Sequence, residues 1–247
     1  DIGMISRGED AEITTYLEKN IDSELSGNVN DLCPVGALTH RPWQYHYRPW
    51  ELKKTETIDV MDALGSNIRA DYRGSEVMRV LPRVNEGINE EWLSDKSRYV
   101  VDGLTARRLD RPWIRENGRL RAATWNEALD AVAAKIKAAP ADRIGAIAGD
   151  LQDAESMKAT LDLFRALGSN NTDCRQDGAA LGYGPREGWL FNSGLEGIEK
   201  ADAVLIVGVN PRVEAPLLNA RLRKAWLKGG MEICLLYTSP SPRDGLL

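Results

Sequence analysis

From Thr124 onward, short apolar runs alternate with longer amphipathic ones, and few folds tolerate that alternation. Thr124-Trp125-Asn126-Glu127 is a capping box, which predicts a helix from there to about Ala138. Arg143–Ala148 reads as a short strand, and Asp153–Leu167 as a second helix stopped by Gly168. Val204–Val209 has the length and composition of a buried strand and is followed by Asn210-Pro211. Pro216–Lys228 reads as a third helix, basic on one face. Strands and helices in this order predict an α/β domain with a parallel, doubly wound sheet. Met231-Glu232-Ile233 begins a further strand. The stretch 235–247 then collapses into Ser/Pro turns and reads as a non-native tail, translated from a sequencing adapter, outside any functional argument.

The first half reads differently. A helix is expected over Glu12–Leu25, with Ile13, Thr14, Leu17 and Ile21 on one face. Arg41–Trp50 is aromatic and proline-rich and is expected to be an extended linker packed by its own rings. Ile68–Val80 suggests two strands about the turn at Gly74, within a small β-rich unit spanning residues 51–120. The expected organisation is therefore residues 1–50, 51–120, an α/β domain over 121–234, and the tail.

Composition removes several classes of function. The 247 residues carry 43% hydrophobic and 28% charged side chains, ordinary for a globular protein. A net charge of -5 argues against nucleic acid as the main partner. No apolar run approaches the roughly 20 residues of a membrane helix, so direct membrane insertion is not expected. Cys33, Cys174 and Cys234 form no Cys-x-x-Cys pair, which argues against a self-contained zinc or iron–sulfur site and for a reducing compartment. The chain lacks an initiator methionine and is expected to be a piece of a longer protein.

The most chemical segment is Ser26–Thr39, with Cys33 followed by Pro34 and then small residues. A Cys-Pro step of this kind closes many ferredoxin-like cluster-binding segments. One thiolate cannot hold a cluster, so Cys33 is expected to join a larger ligand set. The alternative is a small buried hydrophobe, the commonest role of a lone cysteine. His40 and His46 follow closely and are expected at a surface or interface. Cys174 lies in a polar loop, Asn170–Gly178, with no evident ligand partners. In the basic run Arg221–Lys228, Leu222 and Trp226 are expected to pack inward with Leu218, and the charges to face solvent or another subunit.

From Tyr16 to about Gly230 the chain resembles the large iron–sulfur subunit of respiratory NADH–quinone oxidoreductase (complex I), the 75 kDa subunit family. The resemblance is carried, in order, by Ser26–Thr39, Arg48–Glu56, Ile58–Ile68, Asn89–Lys96, Gly208–Arg212 and Glu214–Arg221. It implies that Cys33 is the fourth thiolate of a [4Fe–4S] cluster whose other three come from an upstream Cys-x-x-Cys-x-x-Cys segment. It implies a [2Fe–2S] and a further [4Fe–4S] cluster upstream, and partners among the other peripheral-arm subunits. It also implies a peripheral place on the bacterial inner membrane's cytoplasmic face or the mitochondrial inner membrane's matrix face.

Residues 51–230 resemble the start of the molybdopterin oxidoreductase fold. Thr57–Asn67 holds none of the cysteines that catalytic members carry there, Ser94 stands where a last one is expected, and Lys96 lies near an electron-relaying lysine. Ala201–Pro211 resembles a pterin-contacting strand and loop but lacks the Gly-x-Gly-x-x-Gly fingerprint. The resemblance therefore implies no extra cluster, no molybdopterin, and a surface or salt-bridge role for Lys96. Two rival readings are a molybdopterin-dependent oxidoreductase of the formate dehydrogenase type and a non-redox docking module.

Overall fold

A computed structural model describes residues 2–15, 19–149, 151–174 and 184–236. The chain divides into two compact units, one formed by Asp1–Thr105 with Phe191–Leu247 and the other by Ala106–Leu190.

The first unit opens with a hairpin of β1 (Ile2–Ile5) and β2 (Glu12–Thr15), paired antiparallel from Ile2 against Thr15 to Ile5 against Glu12. The chain reverses through left-handed Ser6 (φ 62) and Gly8 (φ 67). The helix expected over Glu12–Leu25 is therefore corrected at its start, and its residues 16–18 lie outside the described residues. Ile13, Thr14 and Thr15 are β-branched, and once β1 supplies a partner the extended state suits them better. The first helix is α1 (Asn28–Leu32), one residue before Cys33.

Arg41–Trp50 is not extended but holds two 3₁₀ turns, Arg41–Trp43 and Pro49–Glu51, each with proline near its start. Nor do its own rings pack it. Trp43 is buried against His40 and Tyr99, with ring centroids 4.8 and 5.5 Å away, whereas Tyr45 and Trp50 are exposed.

An antiparallel sheet follows, ordered β3 (Lys53–Ile58), β4 (Asn67–Arg73), β5 (Glu76–Pro82). The hairpin at Gly74 (φ 63) is as expected. One face buries Ile68 and Val80 against fully enclosed Leu93. Behind it lies α2 (Asp95–Tyr99), capped by Ser94, whose hydroxyl accepts from Ser97 N–H.

The second unit carries a hairpin, β6 (Trp113–Glu116) and β7 (Arg119–Ala122), turned by Asn117 (φ 49) and Gly118 (φ 78). The helix α3 (Trp125–Ala138) has both arms of the capping box: Glu127 N–H donates to Thr124 Oγ1 at 3.3 Å, and Thr124 N–H donates to Glu127 Oε2 at 2.8 Å. Thr124→Ala is expected to destabilise this unit by about 1 kcal/mol, read as a lower melting temperature, while Thr124→Ser should be near neutral. Then come β8 (Ala146–Ile147), α4 (Ala154–Ala166) and β9 (Thr172–Asp173), with β8 and β9 parallel. Asp153 caps α4, and Gly168 (φ 76) follows its end.

The chain returns to the first unit with α5 (Gly194–Ile198), β10 (Ala203–Val207), α6 (Pro211–Glu214), α7 (Pro216–Lys228) and β11 (Glu232–Leu236). Strands β10 and β11 are parallel, with α7 in the crossover. Ile198, Leu222, Ala225 and Met231 form the core between them, backed by Leu218. Leu235 and Leu236 pair with Ile206 and Val207, so the strand runs into the stretch assigned to the tail; residues 237–247 lie outside the described residues. Leu222 and Leu218 pack inward as expected, but Trp226 is exposed and Arg221 buried, against expectation. Each unit thus holds one parallel pair, and the described residues form no larger parallel sheet.

Candidate functional site

Cys33 sits at the C-cap of α1, its N–H donating to Asn30 O at 3.3 Å. Its side chain is half-buried, and Sγ lies 3.1 Å from Val35 O. The backbone N–H groups of Leu38, Val35 and Ala37 stabilise the thiolate and hold the thiol below its ordinary pKa. A partly exposed cysteine whose thiolate is favoured by nearby backbone amides is a competent ligand for a soft metal. Among the described residues no three or more His, Cys, Asp or Glu side chains are grouped to hold a metal. The residues present therefore fit one ligand of a shared cluster, not a complete site.

The helix bearing Cys33 is held by side chains from far along the sequence. Asn28 is buried; its amide donates to Leu25 O (3.0 Å) and Leu93 O (2.8 Å). Its Oδ1 accepts from Leu93 N (3.0 Å) and Arg98 Nη2 (2.9 Å). Asp95 accepts from Ser26 Oγ at 2.6 Å and Gly27 N at 2.8 Å. A Cβ on Gly27 would stand 2.7 Å from both Arg98 Nε and Asp95 Oδ1, so this approach requires glycine. Arg98, fully buried, places Nη1 2.7 Å from Asp31 Oδ2. Burial pushes the Asp31 carboxyl up, but the His40 hydrogen bond and the Arg98 charge outweigh it and hold the group below its usual value.

His40 is buried within the chain, which departs from the expected surface or interface placement, whereas His46 is exposed. His40 Nδ1 lies 2.8 Å from Tyr99 Oη and 3.1 Å from Asn30 Nδ2, and Nε2 lies 3.4 Å from Asp31 Oδ1. The amide donor of Asn30 makes Nδ1 the acceptor and puts the ring proton on Nε2, facing Asp31. Cys174 and Cys234 are exposed. Sequence reasoning missed Asn28, Asp31, Arg98 and Tyr99, and the only local signal was the polar run before Cys33.

The stretch around Thr57–Asn67 is filled by hydroxyls and carboxylates. Ser97 Oγ donates to Asp59 Oδ2, and Ser94 Oγ lies 2.8 Å from Ser97 Oγ. Asp59 N–H donates to Ser66 O at 2.8 Å. Burial, reinforced by Asp59, raises the Asp62 carboxyl. Lys96 Nζ lies 3.8 Å from Asp62 Oδ2 and donates to Glu214 O at 2.9 Å, a structural lysine as expected. No cysteine occurs between residues 52 and 102, so these residues do not fit an iron–sulfur cluster.

The loop after β10 is closed on itself. Asn210 N–H donates to Glu214 Oε1 at 2.9 Å, and Asn210 Oδ1 accepts from Arg212 N at 3.2 Å. Arg212 reaches Glu24 Oε2 at 2.7 Å. On α7, Arg221 donates to Ile88 O, Glu86 O and Glu199.

Three family profiles match. Residues 108–239, more than half of the 247, match the molybdopterin oxidoreductase family. Residues 52–102 match the NADH-ubiquinone oxidoreductase NDSU1/NuoG-like 4Fe-4S domain, and residues 1–39 the ferredoxin-like domain of NADH-quinone oxidoreductase subunit 3. The mitochondrial NADH-ubiquinone oxidoreductase 78 kDa subunit of Candida albicans is 54% identical over 237 residues, covering 94% of this chain and 33% of its own length. The G-type subunit of NADH-quinone oxidoreductase from Rickettsia conorii is 55% identical over 222 residues, covering 90% and 33%. The mitochondrial iron-sulfur protein 1 of NADH dehydrogenase from Solanum tuberosum is 53% identical over 225 residues, covering 91% and 30%. The chain spans about a third of the length of these curated relatives. With the profiles and relatives agreeing along nearly the whole sequence, the chain belongs to the molybdopterin oxidoreductase family and, within it, to the large iron–sulfur subunits (NuoG-like, 75/78 kDa) of NADH–quinone oxidoreductase.

Proposed function

We propose that this chain is the part of an electron-transferring subunit of NADH:quinone oxidoreductase (EC 7.1.1.2) that donates one thiolate, Cys33, to a [4Fe–4S] cluster. The other three thiolates come from residues outside this chain. Bound there, such a cluster supplies a one-electron relay between the NADH/flavin side and quinone. The chain's own residues do the rest: Cys33 anchors, the amides of Leu38, Val35 and Ala37 stabilise negative charge on sulfur, and α1 fixes the approach. The observation that carries this is the partly exposed Cys33 at the end of α1, in a chain half-identical to the large NADH–quinone oxidoreductase subunits of Candida albicans and Rickettsia conorii.

The domain reading is an iron–sulfur module end at 1–50, a cysteine-free β-rich unit at 51–120 and the start of an α/β domain at 121–234, with the stretch 235–247 read as a tail except for Leu235 and Leu236, which belong to β11. The doubly wound sheet is proposed for the complete domain. Partners are the other peripheral-arm subunits. The protein sits peripherally, on the cytoplasmic face of a bacterial inner membrane or the matrix face of the mitochondrial one. No helix among the described residues is long and apolar enough to cross a membrane. Molybdopterin is absent from the proposed cofactors: the Asn210 side chain caps Arg212 N, its backbone N–H goes to Glu214, and the Arg212 guanidinium goes to Glu24. The formate dehydrogenase-type rival draws on the match at residues 108–239 and predicts stoichiometric molybdenum in the full-length protein.

Cys33→Ser in the full-length subunit, within the assembled complex, tests the assignment. One low-temperature paramagnetic resonance signal of the reduced enzyme should vanish, and NADH–quinone activity with it. An unchanged spectrum would reject the ligand role.

A further inference from the structure

The profile match at residues 52–102 names a 4Fe-4S domain, yet that segment holds no thiolate. Its largest fully buried side chain is Arg98, and both of its close polar partners lie on the cysteine-bearing helix. We propose that Arg98 is the positioning residue for the Cys33 thiolate, and that the Arg98–Asp31 pair sets the charge felt by the group bound there. The proposal rests on the cluster-ligand assignment of Cys33.

Arg98 grips α1 at its first turn, through Asn28 Oδ1 at 2.9 Å, and near its end, through Asp31 Oδ2 at 2.7 Å. Two contacts on one five-residue helix fix both its height and its rotation, and the thiolate leaves from the next residue. Nη2 makes the hydrogen bond, to Asn28, while the approach of Nη1 to Asp31 is an ion pair without hydrogen-bond geometry. Gly27 keeps the approach open, since any side chain there collides with Arg98. The remaining polar and charged neighbours are Asp95, which ties down Gly27, and His40 and Tyr99, which close over Asp31 and Asn30.

Charge gives the second consequence. Arg98 has no exposed side-chain surface, and Asp31 is only 25% exposed, so solvent screens the pair weakly. Net charge near an iron–sulfur cluster moves its potential. Replacing Arg98 by a neutral residue leaves the Asp31 carboxylate unopposed and disfavours the added electron. Replacing Asp31 leaves Arg98 unopposed and favours it.

Redox titration of the full-length subunit in its assembled complex, followed by paramagnetic resonance of the Cys33-dependent signal, separates the outcomes. Arg98→Gln should lower the reduced-to-oxidised ratio about tenfold at fixed ambient potential, about 59 mV for a one-electron couple. Asp31→Asn should move it the opposite way, and the double variant should return toward the parent value. Arg98→Lys keeps the charge and should rescue most of the shift. If Arg98→Gln fails to assemble, Asp31→Asn and Arg98→Lys still decide the point. Unmoved midpoints in every variant that assembles, with the signal intact, overturn this proposal while leaving the cluster assignment standing. A signal that survives Cys33→Ser overturns the assignment instead.

Discussion

Leu93→Ala is expected to destabilise the first unit by about 3 kcal/mol, within the roughly 2–5 kcal/mol seen for large-to-small core changes. Leu93 is fully buried and closes the core formed by Ile68 of β4 and Val80 of β5. That core has few members, so little can collapse into the void. The backbone of Leu93 also exchanges two hydrogen bonds with Asn28, which hold Leu93 in place and keep it from sliding in to fill the gap. Urea unfolding should show a lower midpoint at an unchanged slope. A loss below about 1 kcal/mol would mean that Leu93 does not organise this core. Leu93→Met, close in volume, should cost less than about 1.5 kcal/mol.

Arg221→Met should cost about 3–5 kcal/mol, the usual consequence of removing one partner from a buried ionic cluster. Arg221 is 5% exposed and donates to Glu199, to Ile88 O and to Glu86 O. Methionine fills much of the volume but leaves both carbonyls without their donor. Glu199 keeps Lys224 and Lys228, so part of its pairing survives. Burial raises the Glu199 carboxyl, but Lys224 and Arg221 reverse this and hold it below its ordinary value. A lowered folded-state pKa stabilises above the unfolded value and loses that stabilisation as pH falls through the folded one. The gap between parent and variant should therefore narrow as pH drops below the ordinary glutamate range, without closing. Equal gaps at neutral and acidic pH would mean that Glu199 gains nothing from Arg221.

What could be read from sequence was local. The Thr124 box, the Gly74 turn, the Gly168 stop and the Pro216 start all encode their structure within a few residues, and all are present. Glu12–Thr15 could not be read that way, because its strand state depends on a partner segment, Ile2–Ile5. Arg221 looked like one more solvent cation on a basic helix until Glu199 and the 86–88 loop enclosed it. Cys33 drew attention because Cys-Pro is a local signal. Its supports were not, since Asn28 and Arg98 stand 70 positions apart and nothing at either site names the other. His40 was misplaced for the same reason: the Tyr99 hydroxyl that buries it belongs to a later element.

The serine and aspartate lattice of Asp59, Ser94 and Ser97 has a consequence for traffic. Hydroxyls and carboxylates offer an electron no accessible orbital, so in the proposed subunit this region behaves as an insulator laid beside a wire. A charge reaching the iron at Cys33 finds no next stop between residues 52 and 102. In the proposed subunit its next stop therefore lies outside these residues.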